Sequence, residues 1–258
     1  EQWDLGKEDE SHFFNVDQHG FFMGFLDGVP VSAISIVNFD DHYAHLGHYL
    51  VAPSVRGNGL GLRLWETAIS HAGERTIALD GMPVQAGNYE KWGFKTHYRT
   101  LRLSGILTHR PQQQEISEAV THSNINEVIH YDHTCVGVLR ERLLSNWFQG
   151  AGRMGILTRD SSAINGLIGV RRSSAGYRLG PFYAENDYVM NTLFNGALAE
   201  IPLGSRITLD VPETATDIIR MAGDYGLKEI FHTFRMYRGH APKELVSHIK
   251  AITSLELS

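Results

Sequence analysis

Cysteine is almost missing from this sequence: Cys135 is the only one in 258 residues. No intrachain disulfide can form and a thiolate-rich metal site is excluded, which suits a reducing compartment. The fourteen histidines are scattered, without the HxxxH spacing that puts two ligands on one helix face, so no metal is expected. No apolar run approaches the roughly 18 residues that cross a bilayer. The opening Glu1-Gln2-Trp3-Asp4 has neither the basic region nor the apolar stretch of a signal peptide. These absences predict an intracellular (cytoplasmic) chain with no membrane partner. Basic excess is missing as well: 23 Lys and Arg stand against 29 Asp and Glu, a formal charge of −6, which leaves no electrostatic footprint for nucleic acid.

What is present is a globular composition, 42% hydrophobic and 20% charged, in a length that suits one large domain or two ordinary ones. Comparing the halves at an offset of about 130 residues favours two, because three stretches recur. Thr76-Ile-Ala-Leu-Asp-Gly-Met-Pro83 matches Ile207-Thr-Leu-Asp-Val-Pro212, aligning Leu79-Asp80 with Leu209-Asp210. Tyr89-Glu-Lys-Trp-Gly-Phe94 and the strand after it match Ala222 to Gly239, and Gly47-His-Tyr-Leu-Val-Ala-Pro53 is set against Gly176-Tyr-Arg-Leu-Gly-Pro181. A period this long marks duplicated domains rather than a solenoid.

In the first copy the pattern predicts strands over Phe21–Leu26, Val31–Phe39, Ala44–Val51, Thr76–Leu79 and Thr96–Leu103, with Asp27-Gly28 as a hairpin turn. Helices are expected over Gly61–Ala72 and Tyr188–Ala199, and helical segments over Ile116–Phe148. The fold class is therefore α/β, in α+β layers. The expected boundaries are a first domain over 1–106, a linker over 107–115 marked by Pro111 and three glutamines, and a second domain over 116–258. The second copy has about 30 residues of helix-like sequence before its first strand, and the first copy has Glu1 to Gly20. The first domain is thus expected to lack its first strand and helix.

Val51-Ala-Pro-Ser-Val-Arg-Gly-Asn-Gly-Leu-Gly-Leu62 is an apolar strand, a turn and a glycine-rich start to a helix. Glycines let the backbone approach a ligand, exposed amides and the positive helix end favour phosphate, and Arg56 adds a full charge. No Lys-Ser/Thr pair follows, as a P-loop needs, and the spacing is not that of a dinucleotide fold. A pyrophosphate bound without magnesium suits coenzyme A.

Arg56-Gly-Asn-Gly-Leu-Gly61 after Val51-Ala-Pro53, with Tyr89-Glu-Lys-Trp-Gly-Phe94 downstream, resembles the two signatures of the GNAT superfamily of N-acetyltransferases. The resemblance extends over nearly the whole chain, to a tandem subgroup with a typical first domain and a divergent second. It implies two GNAT-like domains, each a mixed, mostly antiparallel, splayed sheet flanked by helices. It implies acetyl-coenzyme A as cosubstrate, with Leu50 and Val51 pairing to pantetheine and Arg56, Gly57, Asn58, Gly59, Leu60, Gly61 and Leu62 holding the pyrophosphate. The acceptor it implies is an amine of a small molecule or a lysine side chain. One departure is Met82, where many members carry a cofactor-contacting Asn.

Acetyl transfer needs a free amine, donors for the thioester oxyanion and an acid for the leaving thiolate. Tyr89 is the candidate acid. Asp80, at a strand end, and His48 are candidate bases, Asp80 with the alternative of a structural cap because it recurs as Asp210. His48 and Tyr49 are expected on opposite faces of their strand. Asp40, Asp41 and His42 form a polar hairpin that either meets a cationic substrate or is a solvated turn, and Cys135 is not expected to act as a nucleophile. The aligned loop of the second copy, Phe182 to Met190, has no glycine and carries Glu185 and Asp187, so it is expected not to bind the cofactor. The alternative to an enzyme is a non-catalytic sensor or scaffold that binds acetyl-coenzyme A.

Overall fold

The computed structural model describes residues 4, 6–110 and 117–257. Along the first copy run α1 (Asp9–Val16), β1 (Phe21–Leu26), β2 (Val29–Asn38), β3 (Tyr43–Val51), α2 (Leu60–Ile69), β4 (Thr76–Gly81), α3 (Ala86–Glu90) and β5 (Lys95–Ile106). The second copy follows with β6 (Glu118–Ala119), α4 (Ile125–Val136), α5 (Glu141–Trp147), β7 (Arg153–Asp160), β8 (Ala163–Arg172), β9 (Gly176–Ala184), α6 (Asp187–Ala199), β10 (Arg206–Pro212), α7 (Thr216–Asp224), β11 (Lys228–Arg238) and β12 (Ile249–Ala251). The expected strands and helices of the first copy all form. The β1–β2 hairpin turns at Asp27 and Gly28, both at positive φ, as an Asp-Gly turn requires. Helix α1 carries a weak apolar pattern and was not foreseen.

All the strands join one mixed sheet, in the order β1-β2-β3-β4-β11-β5-β10-β9-β8-β7-β6, with β12 paired to β9. The expectation of one sheet per copy needs correction here, because each copy lends its last long strand to the other. Strand β11 lies antiparallel between β4 and β5 of the first copy, and β5 lies antiparallel to β10 of the second. Thr100 and Thr233, matching positions of the repeat, face each other across β5 and β11, which puts the pseudo-twofold axis between them.

The cores are exchanged along with the strands. Leu101, Leu103 and Leu107 pack among Phe182, Leu193, Phe194 and Leu209 of the second copy. Met236 packs with Leu64, Trp65, Leu79 and Phe94 of the first. Burying such side chains is the main favourable term in folding, about 1.5–3 kcal/mol each, so much of the drive to order either half comes from the other. Leu107, the first residue assigned to the linker, is fully buried and bonded through its backbone to Gly204 and Ser205. Pro111 to Glu115 of that linker lie outside the described residues.

Candidate active site

Strands β3 and β4 pair in parallel only from Tyr43–Thr76 to Leu46–Leu79, then part. On its other edge β3 bulges: Ser35 faces Gly47 and Ala33 faces Leu50, so His48 and Tyr49 together oppose Ile34. His48 sits in the left-handed region, φ 51, an uncommon place for a non-glycine residue. An extra residue bends a strand and re-aims its side chains: His48 packs against Phe13 and Phe21 on one face of β3, Tyr49 packs against Trp65 of α2 on the other, and both border the gap. The gap is a cleft of about 1120 Å³.

At one end of the cleft lies the glycine loop. Gly57 and Gly59 hold φ of 82 and 75, and a Cβ at either would meet nothing within 4 Å. They are needed for backbone conformation, and the space beside their backbone is open to a ligand. Helix α2 starts at Leu60 with no side chain capping it, so its leading amides and positive end face the cleft mouth. Gly61 answers to packing: a Cβ there would come within 2.8 Å of Tyr49 Oη and Val51 Cγ2. Arg56 folds back so that its Nε donates to the Val51 carbonyl at 2.9 Å. Leu50, Val51, Arg56, Gly57, Gly59, Leu60, Gly61 and Leu62 all line the cleft. Asn58 does not line it. Open backbone at a helix start and an unpaired strand edge are a fit for a pyrophosphate and a pantetheine arm.

Tyr89, from α3, lines the middle of the cleft, and Gly81 gives it room, since a Cβ there would lie 2.5 Å from Tyr89 Cε2. Burial, with Tyr49 nearby, pushes the Tyr89 hydroxyl up to about 12, so it stays protonated through the neutral range. His48 Nδ1 pairs with Ser35 Oγ at 2.9 Å, while Nε2 is buried without a partner. Burial lowers the His48 pKa against the pull of Glu256. The ring is therefore neutral at pH 7 and can take a proton.

Asp80 borders the cleft but is occupied. Its Oδ1 accepts from Thr100 and Thr233 at 3.0 and 3.3 Å, and Oδ2 accepts from Arg235 Nε and Nη2 at 3.0 and 2.6 Å. A base held this way has no lone pair facing a substrate, and the geometry is that of the cap which its recurrence as Asp210 suggested. Asp210 likewise takes Arg102, at 2.7 and 2.9 Å, and Arg178. Asp40 caps its own turn, accepting from the amides of His42 and Tyr43 at 2.7 and 2.8 Å. Cys135 is buried, and burial pushes its thiol up to about 12, far from a reactive thiolate.

The second copy has the same splay, filled from within. Strands β9 and β10 pair from Gly176–Arg206 to Leu179–Leu209. Beyond that point β12 pairs with Phe182 and Tyr183, and the Ile252 amide donates to the Asp210 carbonyl at 2.9 Å. The slot a pantetheine arm would use is thus taken by the chain's own tail. Because Leu46 pairs with Leu79 as Leu179 pairs with Leu209, Gly47 corresponds to Gly180, and the repeat alignment that set it against Gly176 was out of register by four residues. The first residue of α2 lies 13 positions after Gly47, but that of α6 lies only 7 after Gly180. The loop is missing as well as the glycines, and Asn186 Oδ1 takes the amide of Val189 at 3.0 Å instead.

At the far end the cleft is walled by residues that sequence reasoning missed, among them Lys7, Glu8, Glu10, Ser174, Leu255 and Glu256. One signal was present: a Cβ at Gly47 would fall 2.2 Å from the Glu256 carbonyl oxygen, so glycine there reports a close backbone neighbour without naming it.

Residues 1–94 match the acetyltransferase (GNAT) family and residues 128–249 the acetyltransferase (GNAT) domain. Holothin acyltransferase of Pseudoalteromonas sp. (strain SANK 73390) is 46% identical over 257 residues, covering 100% of this chain and 87% of the relative. In fold, a putative acetyltransferase from Pyrococcus horikoshii superposes with TM-score 0.84 at 23% identity, over 98% of this chain and 85% of that one. A tandem GNAT protein from the clavulanic acid biosynthesis pathway superposes with TM-score 0.57 at 14% identity, over 86% and 85%. Full-length kinship to an acyltransferase, two family matches in one chain and a splayed cleft behind a glycine loop lead to one assignment: the chain belongs to the GNAT family as a tandem acyltransferase.

Proposed function

We propose that the chain transfers an acetyl group from acetyl-coenzyme A to an amine of a small molecule, in a ternary complex within the first copy. The observation that carries this reading is a single cleft joining the glycine loop, the β3 bulge and Tyr89. The α2 amides, Gly57, Gly59 and Arg56 hold the pyrophosphate, and the free edge of Leu50 and Val51 takes pantetheine. The amine attacks the thioester carbon, forming the N–C bond as the C–S bond breaks. His48 Nε2 removes the amine proton, and Tyr89 donates one to the leaving thiolate. The domain assignment follows, with 1–106 holding the donor, 107–115 linking, and 116–258 lending β11 and its tail. A coenzyme A thioester donor and a lone buried cysteine suit an intracellular setting.

Holothin, which the relative's name gives as what it acylates, is the first acceptor to test. Incubation with acetyl-coenzyme A should release free thiol in step with acetylated holothin by mass spectrometry. Thiol release with no acetylated product, from holothin or from a panel of primary amines, would overturn the reading.

A further inference from the structure

The tail after β12 does more than fill the second copy's slot. Its carbonyls cross the bulges of both copies in turn: a Cβ at Gly180 would fall 2.3 Å from the Ile252 oxygen, and one at Gly47 would fall 2.2 Å from the Glu256 oxygen. Arg171, fully buried, pins this path, donating to the Gly180 and Thr253 carbonyls at 3.0 and 2.9 Å. The segment therefore runs against β3 of the first copy at the point where it opens into the cleft.

Glu256 is the residue the tail delivers there. It is 3% exposed and lines the cleft. Ser254 Oγ holds its Oε2 and accepts from its amide, which fixes the carboxylate's orientation. Oε1 is buried and has no partner. A buried carboxylate oxygen left without a donor is costly, and so is the imidazole nitrogen His48 Nε2, orphaned in the same cleft wall. The charged groups around the pair are Asp9 and Glu10 of α1, acting on His48, and Arg102 of β5, acting on Glu256. Arg102 is already engaged by Asp210. Glu256 Oε1 can only accept, so the partner it lacks is a donor; His48 Nε2 accepts as well when Nδ1 carries the ring proton toward Ser35 Oγ.

We propose that Glu256, carried by the tail of the second copy, is the carboxylate that receives the acceptor amine in the cleft of the first copy. It rests on the acyl-transfer reading above and adds who presents the nucleophile. One amine hydrogen points to Glu256 Oε1. His48 Nε2 takes the proton released as the N–C bond forms, beside the Glu256 carboxylate that acts on the ring. The second copy thus contributes to the chemistry of the first through a chemical group as well as through packing.

The test is Glu256→Gln, which keeps shape and the Ser254 bond but removes the charge, with Glu256→Asp beside it. With acetyl-coenzyme A and holothin, Glu256→Gln should lower kcat/KM for the amine by about 100-fold or more. Affinity for acetyl-coenzyme A and the thermal midpoint should match the native chain, and Glu256→Asp should recover part of the rate. The His48 ring, followed by NMR without any acceptor, should titrate at lower pH in Glu256→Gln. Native kcat/KM in Glu256→Gln would overturn the proposal. So would a loss shared equally by both variants with a fall in thermal midpoint or in acetyl-coenzyme A affinity, which would make Glu256 a packing residue. The native chain is the control on the reading beneath: if it binds acetyl-coenzyme A but acetylates neither holothin nor any amine of the panel, that reading fails first and this role falls with it.

Discussion

Asp80 on β4 holds Arg235 on β11 at 2.6 Å, and the two come from different copies of the repeat. The relationship is reciprocal: Asp210 on β10 holds Arg102 on β5 at 2.7 Å. Each copy ends a central strand in an aspartate that grips an arginine on the strand received from the other. All four side chains are nearly inaccessible to solvent. A buried ion pair adds little over an apolar pair of the same shape, but breaking one strands a charge. Such pairs make the exchanged strand order specific.

Asp80→Asn should accordingly cost stability rather than chemistry. Leaving Arg235 buried without its partner is expected to remove about 3–5 kcal/mol, read as a lower denaturant midpoint. The turnover of the molecules that remain folded should stay near native. A stable Asp80→Asn protein without turnover would restore Asp80 as the base.

Acid should loosen the Asp210 end of this seam; Asp80, which burial raises in spite of Arg235, does not add to the effect. Burial would raise the Asp210 carboxyl, but Arg102 and Arg178 overcome it and hold it at about 2, below the ordinary 3.8. A depressed folded pKa means that the unfolded chain binds the extra proton in this window. The stabilisation is complete above about pH 4 and is lost as pH falls toward 2, roughly 2–3 kcal/mol in all. Asp9, lowered by Arg171 and Arg153 against its burial, acts in the same direction. Urea unfolding at fixed ionic strength should show stability falling steeply between pH 4 and pH 2.5. A flat profile there would mean that these carboxylates are not ionised in the folded state.

The donor end of the site was legible in the sequence because it is local: Arg56 to Leu62 fall on consecutive residues whose types answer to backbone conformation. The strands of the first copy were legible for the same reason. The exchange of β5 and β11 was not, since a strand carries the same alternating pattern whichever neighbour it pairs with. Glu256 was hidden by distance: Gly47 asks for a close backbone neighbour, but nothing in the chain says that it comes 209 positions later. Asp80 stayed ambiguous between base and cap because a strand-end carboxylate looks alike whether it faces a cleft or an arginine on a strand not yet placed.

The two groups beside the β3 bulge should give opposite limbs of a pH profile. His48, lowered by burial from its ordinary 6.5, accepts a proton only above its pKa, so kcat should fall on the acid side of that value. Tyr89, held at about 12, should keep the alkaline side level to about pH 11. Asn is the replacement for His48 that best tolerates its left-handed φ, and His48→Asn should abolish the acid limb. Tyr89→Phe should keep acetyl-coenzyme A affinity and lower turnover by about 10²–10⁴-fold. Native turnover in Tyr89→Phe would leave water as the acid.

One donor site per chain is the expectation with the most ways to fail. Gly59→Asp places a carboxylate at the N-cap of α2, on a backbone with φ 75. Asp is among the few residues that tolerate that conformation, so the fold should survive. The charge is the injury: at an effective dielectric near 20, unit charges 4 Å apart repel by about 4 kcal/mol. The side chain also competes for the leading amides of α2, where the pyrophosphate would bind. Calorimetry should find one acetyl-coenzyme A per native chain and none on Gly59→Asp. Asp187→Gly, at the start of α6 in the second copy, should create nothing. The loop there is shorter, no arginine stands in for Arg56, and β12 with Ile252 already fills the gap between β9 and β10. A carboxylate is therefore the least of the obstacles in that copy. Two molecules bound per native chain would require the tail to leave its slot, and with it Glu256 to leave the first cleft. That result, or binding that survives Gly59→Asp, would overturn the division of labour between the copies.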